Sequence, residues 1–285
     1  MKKILLACAI SSALVYGTHS AKAETPLERG TYLMKSVVAC GNCHTPQTAK
    51  GPVQGREFAG QLVVKVPEFT AIAPNITPDK ETGIGAWTDE QIITAIREGI
   101  RPDGSIIGPP MPFEVYKDIS DEDARALVAY IRNVKPIKNS APKSTYNIPL
   151  PPAWGPKIKS VQAPDKTDKV AYGGYLVNAL GHCTACHSPL VKGAPDLEHQ
   201  LGAGGQKIPG PWGVAVTANI TPHADGIESY SDAEIANAIR RGVRPDGSRL
   251  SPPMGYWYYK NISDDDMTAI IAYLRSLKPL PMPKG

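Results

Sequence analysis

Cysteine is scarce in this sequence, and its distribution excludes a fold held together by disulfides. The 285 residues include five cysteines. Four of them form two C-x-x-C pairs, and the fifth, Cys8, lies in an apolar N-terminal stretch. We expect that stretch to be removed when a signal peptide is cleaved, so that no cysteine remains outside the two pairs. A weak lipobox pattern around Cys8 leaves a lipid anchor as the alternative.

Long hydrophobic runs are missing beyond the N-terminus. A short positive start, an apolar stretch over residues 4–16 and a small-x-small site at 21–23 predict a cleavable signal peptide over residues 1–23. The mature chain then begins at Glu24 and is exported to the periplasm, where peripheral contact with the inner membrane is an option. The apolar stretch is too short to cross a bilayer. The sequence therefore predicts no integral membrane segment in the mature chain.

A large excess of one charge is absent as well. The sequence has 31 basic and 27 acidic residues, and Lys2, Lys3 and Lys22 lie in the expected leader. The mature chain is close to neutral, with 28 basic residues against 27 acidic ones. Because nucleic acid binding needs a strongly basic surface, we expect no nucleic acid partner.

What the sequence does contain is one five-residue motif that occurs twice. Residues 40–44 (CGNCH) and 183–187 (CTACH) both have the pattern C-x-x-C-H, 143 positions apart. In this pattern each thiol bonds one vinyl group of the same porphyrin, and the histidine supplies an axial nitrogen to the iron. The motif predicts two covalently bound haem c groups. The predicted thioether and axial residues are Cys40, Cys43, His44, Cys183, Cys186 and His187.

Zinc binding and dithiol redox chemistry are the alternatives for a C-x-x-C pair. A zinc site needs four ligands close together, whereas each half of the sequence offers two cysteines and one adjacent histidine. A redox dithiol needs no following histidine and is expected beside a β-α-β pattern, which the sequence lacks. Haem attachment is therefore the favoured interpretation.

Most of the mature sequence is an internal repeat. Matching segments recur at an offset of 143, and the N-I-T-P motifs at 75–78 and 219–222 recur at 144. Such self-similarity indicates duplication of one domain. We predict a first domain over 24–137, a linker over 138–167 and a second domain over 168–285. The matching pairs include W-T-D-E-Q-I with Y-S-D-A-E-I, R-P-D-G-S twice, P-P-M twice, and I-S-D-E-D with I-S-D-D-D.

Each copy is predicted to be mostly helical, which makes the expected fold class all-α. A first helix is expected over 27–39 and 168–180, and it delivers the haem motif at its end. A second helix begins at a capping box formed by Thr88 and Gln91, or by Ser231 and Glu234. A third helix starts after an I-S-D motif, with acidic residues in the first turn where the helix dipole favours them. A long Pro/Gly-rich loop separates the haem motif from the second helix in each copy.

The linker is rich in proline and has no helical or strand periodicity. We expect an extended, stiff strap that packs on the surface and is anchored by Tyr146 and Trp154. Phenylalanine is rare, with three in the whole chain. That scarcity fits a core in which porphyrin supplies much of the apolar surface.

Methionine is the expected second axial ligand of each iron. His44 is the only histidine between residue 24 and the linker, so the first half has no second histidine to offer. Met111 maps onto Met254 at the offset of 143, and prolines flank both, which fixes the backbone near the thioether. Core packing is the alternative role for these side chains. The remaining mature methionines have no methionine counterpart in the other copy: Met34, Met267 and Met282.

Several other polar residues have two alternative roles. Arg101 and Arg244 either pair with haem propionates or only complete an R-P-D-G turn. Asn75 and Asn219 either line the haem edge or cap local backbone. The proline two residues after each axial histidine suggests that a carbonyl of that loop accepts the histidine N–H. Three histidines without a counterpart in the first half are expected on the surface: His182, His199 and His223.

These motifs together resemble class I c-type cytochromes in tandem. The resemblance is strongest to the multihaem cytochrome c subunits of membrane-associated dehydrogenases that oxidise alcohols, aldehydes or gluconate, and it covers nearly all of residues 24–279. Those subunits carry three haems and a C-terminal membrane-contacting segment, whereas this sequence has two haem motifs. The resemblance implies an electron-transfer protein that receives single electrons from a dehydrogenase and passes them to an oxidase or another cytochrome.

A dihaem redox enzyme, of the peroxidase or thiosulfate-oxidising type, is the alternative function. Catalysis at haem needs an open or displaceable distal site, and two matching P-P-M loops argue against one specialised haem. An interaction subunit that docks a catalytic partner is a third hypothesis. The sequence favours electron relay, with no catalytic residue assigned.

Overall fold

The computed structural model describes residues 23–48, 50–210 and 212–284. The predicted leader, with Cys8, lies outside the described residues.

The first half contains five short helices and two small antiparallel sheets among its described residues. The helices pack around one apolar centre, and the strands lie in the segment that follows the first C-x-x-C-H motif. The elements are α1 (Pro26–Lys35), α2 (Gly41–His44), β1 (Gln47–Thr48), β2 (Gly51–Pro52), β3 (Gln61–Lys65), β4 (Phe69–Ala73), α3 (Asp89–Arg97), α4 (Phe113–Tyr116) and α5 (Asp121–Asn133).

The second half repeats this order, and the linker adds one strand. The linker strand is β5 (Thr145–Tyr146). The elements that follow are α6 (Lys169–Tyr175), a π-helical segment (Leu176–Leu180), α7 (Cys183–His187), β6 (Leu190–Val191), β7 (Ala194–Pro195), β8 (Lys207–Gly210), β9 (Gly213–Val216), α8 (Asp232–Arg241), α9 (Tyr256–Tyr259) and α10 (Asp264–Ser276).

The predicted capping boxes are confirmed. Thr88 accepts from the Gln91 N–H at 3.2 Å, and the Gln91 side chain accepts from the Thr88 N–H at 2.8 Å. Ser231 and Glu234 repeat the arrangement at the start of α8. The first helix is shorter than expected, because α1 ends at Lys35 and an irregular turn separates it from the haem motif.

The all-α expectation is not confirmed, because helices account for only 32% of the structure. Antiparallel pairs form between β1 and β2, β3 and β4, β6 and β7, and β8 and β9, and β5 adds to the edge of β4. Segments 61–65 and 69–73 carry valine, isoleucine, threonine and phenylalanine, which favour a pleated backbone. The sequence interpretation had assigned this region to a loop.

Two glycines allow the first and last helices of each copy to cross closely. A Cβ placed on Gly30 in α1 would overlap the Ala126 carbonyl of α5, and one on Gly173 in α6 would overlap the Ala269 carbonyl of α10. Both contacts are with backbone, which cannot rotate away as a side chain can. The two helix pairs are therefore built alike, as the repeat predicts.

Replacing Gly30 with alanine is expected to destabilise the first half. The added methyl group forces α1 away from α5, and overpacking of this kind costs about 1–3 kcal/mol or more. Urea unfolding followed by circular dichroism measures the loss. Gly155→Ala is the control for overlap, because a Cβ there meets nothing within 4 Å and the residue has no left-handed φ; an equal effect at both positions would contradict the close crossing.

The two halves meet through contacts that are related by the repeat. Tyr32 donates to Asp266 at 2.6 Å, and its counterpart Tyr175 donates to Asp123, the counterpart of Asp266, at 2.8 Å. Each half thus reaches the first turn of the last helix in the other half. One hydrophobic cluster runs through both halves, including Leu33, Val37, Leu176 and Leu180. The interface resembles that of a twofold dimer built within one chain.

Among the described residues, no helix combines the length and the apolar character needed to cross a membrane.

Candidate haem sites

Each C-x-x-C-H motif follows a sharp reversal of the backbone. Ala39 and His182, which directly precede the two motifs, have φ values of 50° and 41°. This left-handed conformation is uncommon for residues other than glycine. It precedes the start of α2 or α7, which carries the second cysteine and the histidine; the first cysteine is the N-cap of α2 and the first residue of α7.

The two motif histidines are held in the same orientation. Nδ1 of His44 donates to the Pro74 carbonyl at 2.9 Å, and Nδ1 of His187 donates to the Ala218 carbonyl at 2.7 Å. Burial lowers the pKa of both imidazoles, and these hydrogen bonds only partly oppose it. The neutral ring with Nδ1–H leaves the Nε2 lone pair free, as an axial ligand requires. No described residue bonds either Nε2.

The carbonyl that orients each histidine was predicted in the wrong place. The sequence interpretation assigned it to the loop that carries the proline after the motif. The carbonyl instead belongs to the residue just before N-I-T-P, about thirty residues further along the chain. The N-I-T-P segment is therefore part of the site, through its preceding carbonyl.

The four motif cysteines are free thiols in this structure. Burial raises the pKa of the Cys40 and Cys183 thiols to about 12. Dithiol redox sites work through a thiolate with a lowered pKa. Over the described ranges, no group of three or more His, Cys, Asp or Glu side chains is placed to hold a metal ion. The donor set fits covalent haem better than either alternative.

Two glutamines that the sequence analysis missed support the motif helices. Gln61 donates to the Cys43 carbonyl at 3.0 Å, and Gln206 donates to the Ala185 carbonyl at 2.7 Å. Both satisfy carbonyls at the end of a short helix that has no partner within the helix. The recurring dipeptide Gly-Gln, at 60–61 and 205–206, could have revealed this pair. Its two copies are 145 residues apart, whereas most of the other motifs recur at an offset of 143.

The methionines occupy two kinds of environment. Met34 and Met267 are buried among the crossing helices, with 0% and 3% of their surface exposed. Met111 and Met254 are only partly buried, in the loops that precede α4 and α9. In both loops the methionine carbonyl accepts from the N–H two residues later, at 3.1 Å and 3.0 Å. The two loops have equivalent backbones, as the repeat predicts, and both proline pairs have a cis peptide bond.

The arginines and asparagines have local partners in the chain. Arg101 donates to the Ile106 carbonyl at 2.8 Å inside its own turn, and Arg244 bonds Ser248 in the same way at 3.1 Å. Asn75 accepts from the Thr77 N–H at 3.0 Å and donates to the Ile137 carbonyl at 2.7 Å. Asn219 makes the equivalent pair of contacts. These contacts favour the turn and capping roles over contact with haem.

His182 does not lie on the surface as predicted. Its ring packs edge-on against Tyr116 of the first half, with centroids 5.5 Å apart. Burial lowers the pKa of His182 to about 4, so the ring is neutral. His199 is exposed as predicted, with 71% of its side chain accessible. His182 instead belongs to the interface between the two halves.

The two haem motifs lie close to that interface. Asn42, inside the first motif, donates to the Pro253 carbonyl next to Met254 at 2.8 Å. Gly41 lies under the Tyr258 ring of α9, where a Cβ would meet the phenol. The first motif therefore contacts the methionine loop of the second half. The segments that carry the predicted haem residues of the two halves are therefore in contact.

Comparison with protein families gives two matches along the chain. Residues 25–131 match the family model described as cytochrome c oxidase, cbb3-type, subunit III. Residues 170–278 match the family model described as cytochrome c. Each match contains one C-x-x-C-H motif and one P-P-M loop.

Similar curated proteins include cytochrome c subunits of dehydrogenases. The cytochrome c subunit of the quinone alcohol dehydrogenase of Gluconacetobacter polyoxogenes is 32% identical over 97% of this chain and 62% of its own length. The gluconate 2-dehydrogenase cytochrome c subunit of Pantoea cypripedii is 32% identical over 93% and 64%. This chain spans less than two thirds of either subunit.

A shorter relative matches more of its own length. The diheme cytochrome c-type protein of Cereibacter sphaeroides is 29% identical over 83% of this chain and 81% of its own length. Its name states two haems, the number of motifs found here. From the family matches, the repeated motifs and the equivalent sites, we conclude that this chain consists of two cytochrome c domains in tandem.

Proposed function

We propose that this chain is a periplasmic dihaem c-type cytochrome that relays single electrons from a dehydrogenase to an oxidase or another cytochrome. The observation that carries the proposal is the pair of equivalent sites, each with two thiols and a carbonyl-oriented neutral histidine, in contact across one interface. Bound haem c supplies a one-electron iron couple. The chain's part is to hold that couple in a fixed coordination.

Each domain contributes the same four residues. The cysteines fix the haem covalently, the histidine binds one axial position, and a methionine thioether binds the other, which raises the reduction potential relative to two histidines. With both axial positions filled by the protein, little has to rearrange when an electron arrives or leaves. The proposed residues are Cys40, Cys43, His44 and Met111 in the first domain, and Cys183, Cys186, His187 and Met254 in the second.

The dehydrogenase partner and the periplasmic location are parts of the proposal. The relatives from Gluconacetobacter polyoxogenes and Pantoea cypripedii are named as dehydrogenase subunits, and the N-terminal sequence has the pattern of an export signal. The two domains meet through contacts that are related by the repeat, and the first haem motif touches the methionine loop of the second domain. This proximity supports electron exchange between the two proposed haems.

Measuring peroxide consumption distinguishes the electron-transfer role from the role of a dihaem redox enzyme. The purified dihaem protein is expected to be low-spin at both irons in the resting ferric state and to show no rapid peroxide consumption when reduced cytochrome is supplied. Optical and electron paramagnetic resonance spectra report the spin state, and the absorbance of the reduced cytochrome reports turnover. A high-spin haem with rapid turnover would favour the redox enzyme instead.

A further inference from the structure

The linker contacts the loop that carries Met111 at two points. The Tyr146 hydroxyl donates to the Pro109 carbonyl at 2.9 Å, and the Trp154 indole N–H donates to the Ile107 carbonyl at 2.8 Å. These carbonyls lie two and four residues before Met111. Both acceptors are backbone atoms, so the bonds fix the path of the loop itself.

The aromatic rings of the linker fill the space beside the same loop. Trp154 stacks on Phe113, two residues after Met111, with ring centroids 5.6 Å apart and planes tilted by 24°. Tyr146 packs on Phe69 of β4 with centroids 5.8 Å apart. Gly99 and Gly108 leave room for the rings, since a Cβ on Gly99 would lie 2.7 Å from Trp154 and one on Gly108 2.5 Å from Tyr146. The rings of Tyr146 and Trp154 therefore both pack beside the Met111 loop.

Strand pairing fixes the linker in turn. Thr145 and Tyr146 pair with Thr70 and Phe69 at the edge of β4. The Ser144 hydroxyl accepts from the Ile72 N–H at 2.9 Å and donates to the Ile72 carbonyl at 3.2 Å. Tyr146 is thus anchored to a sheet that is separate from the Met111 loop. A side chain held in this way restrains its partner instead of following it.

Among the described residues, no linker side chain donates a hydrogen bond to the Met254 loop, which instead receives one from Asn42 of the first motif to the Pro253 carbonyl at 2.8 Å. The counterparts of the two accepting carbonyls, on Leu250 and Pro252, receive no hydrogen bond from a described residue. The Tyr256 hydroxyl donates to the Ser251 carbonyl at 3.2 Å, which is a contact within the loop. The outer edge of β9, equivalent to the edge of β4 that carries β5, has no strand partner in the described part of the chain.

We propose that Tyr146 and Trp154 are positioning residues that make Met111 harder to displace from its iron. The inference rests on the proposed role of the two methionines as axial ligands. Outward movement of the loop carries the thioether away from the iron, and in the first domain that movement breaks two hydrogen bonds and one ring stack. The two haem sites therefore share their proposed ligands but differ in the contacts that hold the loop of the distal ligand.

Imidazole titration of the ferric dihaem protein tests this inference. In a Met254→Ala background, the far-red sulfur-to-iron band reports Met111 alone, and imidazole bleaches it by displacing the thioether. Tyr146→Phe keeps the ring and removes one hydrogen bond, and Trp154→Phe removes the indole N–H while leaving a smaller aromatic ring beside Phe113. Each is expected to lower the imidazole midpoint about fivefold, the equivalent of about 1 kcal/mol for one hydrogen bond. In a Met111→Ala background the same substitutions are expected to leave the midpoint unchanged.

Asn147→Ala is the matched linker control. Its side chain donates to the Pro67 carbonyl at 2.8 Å and does not touch the Met111 loop, so the midpoint is expected to stay constant. Unchanged midpoints in Tyr146→Phe and Trp154→Phe, or equal shifts in both backgrounds, would overturn the positioning role. Absence of the band in Met254→Ala would instead overturn the ligand assignment. Circular dichroism of each variant shows whether the fold is intact.

Discussion

A variant with alanine in place of Met111 is expected to lose about half of the far-red sulfur-to-iron band of the oxidised protein. Met254→Ala is expected to lose the other half, and the double variant all of it. The reason is that each iron has one thioether ligand, and alanine offers none. The affected haem also loses the stabilisation of its reduced form that a methionine ligand provides, so its reduction potential falls.

Met34 and Met267 are the matched controls for that experiment. Both are buried between crossing helices and lie away from the P-P-M loops. Replacing either with leucine conserves volume and costs less than about 1.5 kcal/mol, and the band should keep its full amplitude. A full band in both Met111→Ala and Met254→Ala would show that the thioethers are core side chains.

Asp123→Asn is expected to lower the free energy of unfolding by about 3–5 kcal/mol, the cost of leaving one buried charge without its partner. Arg29 donates to the two oxygens of Asp123 at 2.7 Å and 3.1 Å, and the two side chains are only 10% and 5% exposed. Tyr175 of the second domain donates to the same carboxylate. Urea unfolding of the dihaem protein, followed by circular dichroism, measures the change.

Asp266→Asn is the internal control for the ion pair. Asp266 accepts from Tyr32, as Asp123 does from Tyr175, but the counterpart of Arg29 in the second domain is Tyr172. No charge is left unpaired there, and the expected loss is closer to that of one hydrogen bond to a charged group, about 1.5–3 kcal/mol. Equal losses at the two positions would contradict a dominant role for Arg29.

The internal repeat made most of the candidate site predictable. Several of the features that were missed lie where the two copies do not follow the common offset or where the strands are short. Fixed offsets predicted that Met111 and Met254 occupy equivalent loops, and cap chemistry predicted the starts of the second and third helices. The strands were missed because each is short and lies in a segment whose glycines and prolines indicated a loop. Gln61 and Gln206 were missed because a local shift places them two residues off the common offset.

The interface could not be predicted from the sequence. His182 has no counterpart, and its packing on Tyr116 depends on where the second domain lies relative to the first. The orientation of the axial histidines depends on carbonyls about thirty residues away, which no local pattern indicates. Long-range contacts of this kind are fixed by tertiary packing, whereas motifs and caps are fixed within a few residues.

A potentiometric titration of the purified protein tests the central claim most directly. The account predicts two electrons per chain, taken up in one-electron steps at positive potentials typical of histidine–methionine haems, with both irons low-spin at the start and the end. Uptake of a single electron per chain, or a site that becomes high-spin and reacts with peroxide during the titration, would contradict the two-site relay.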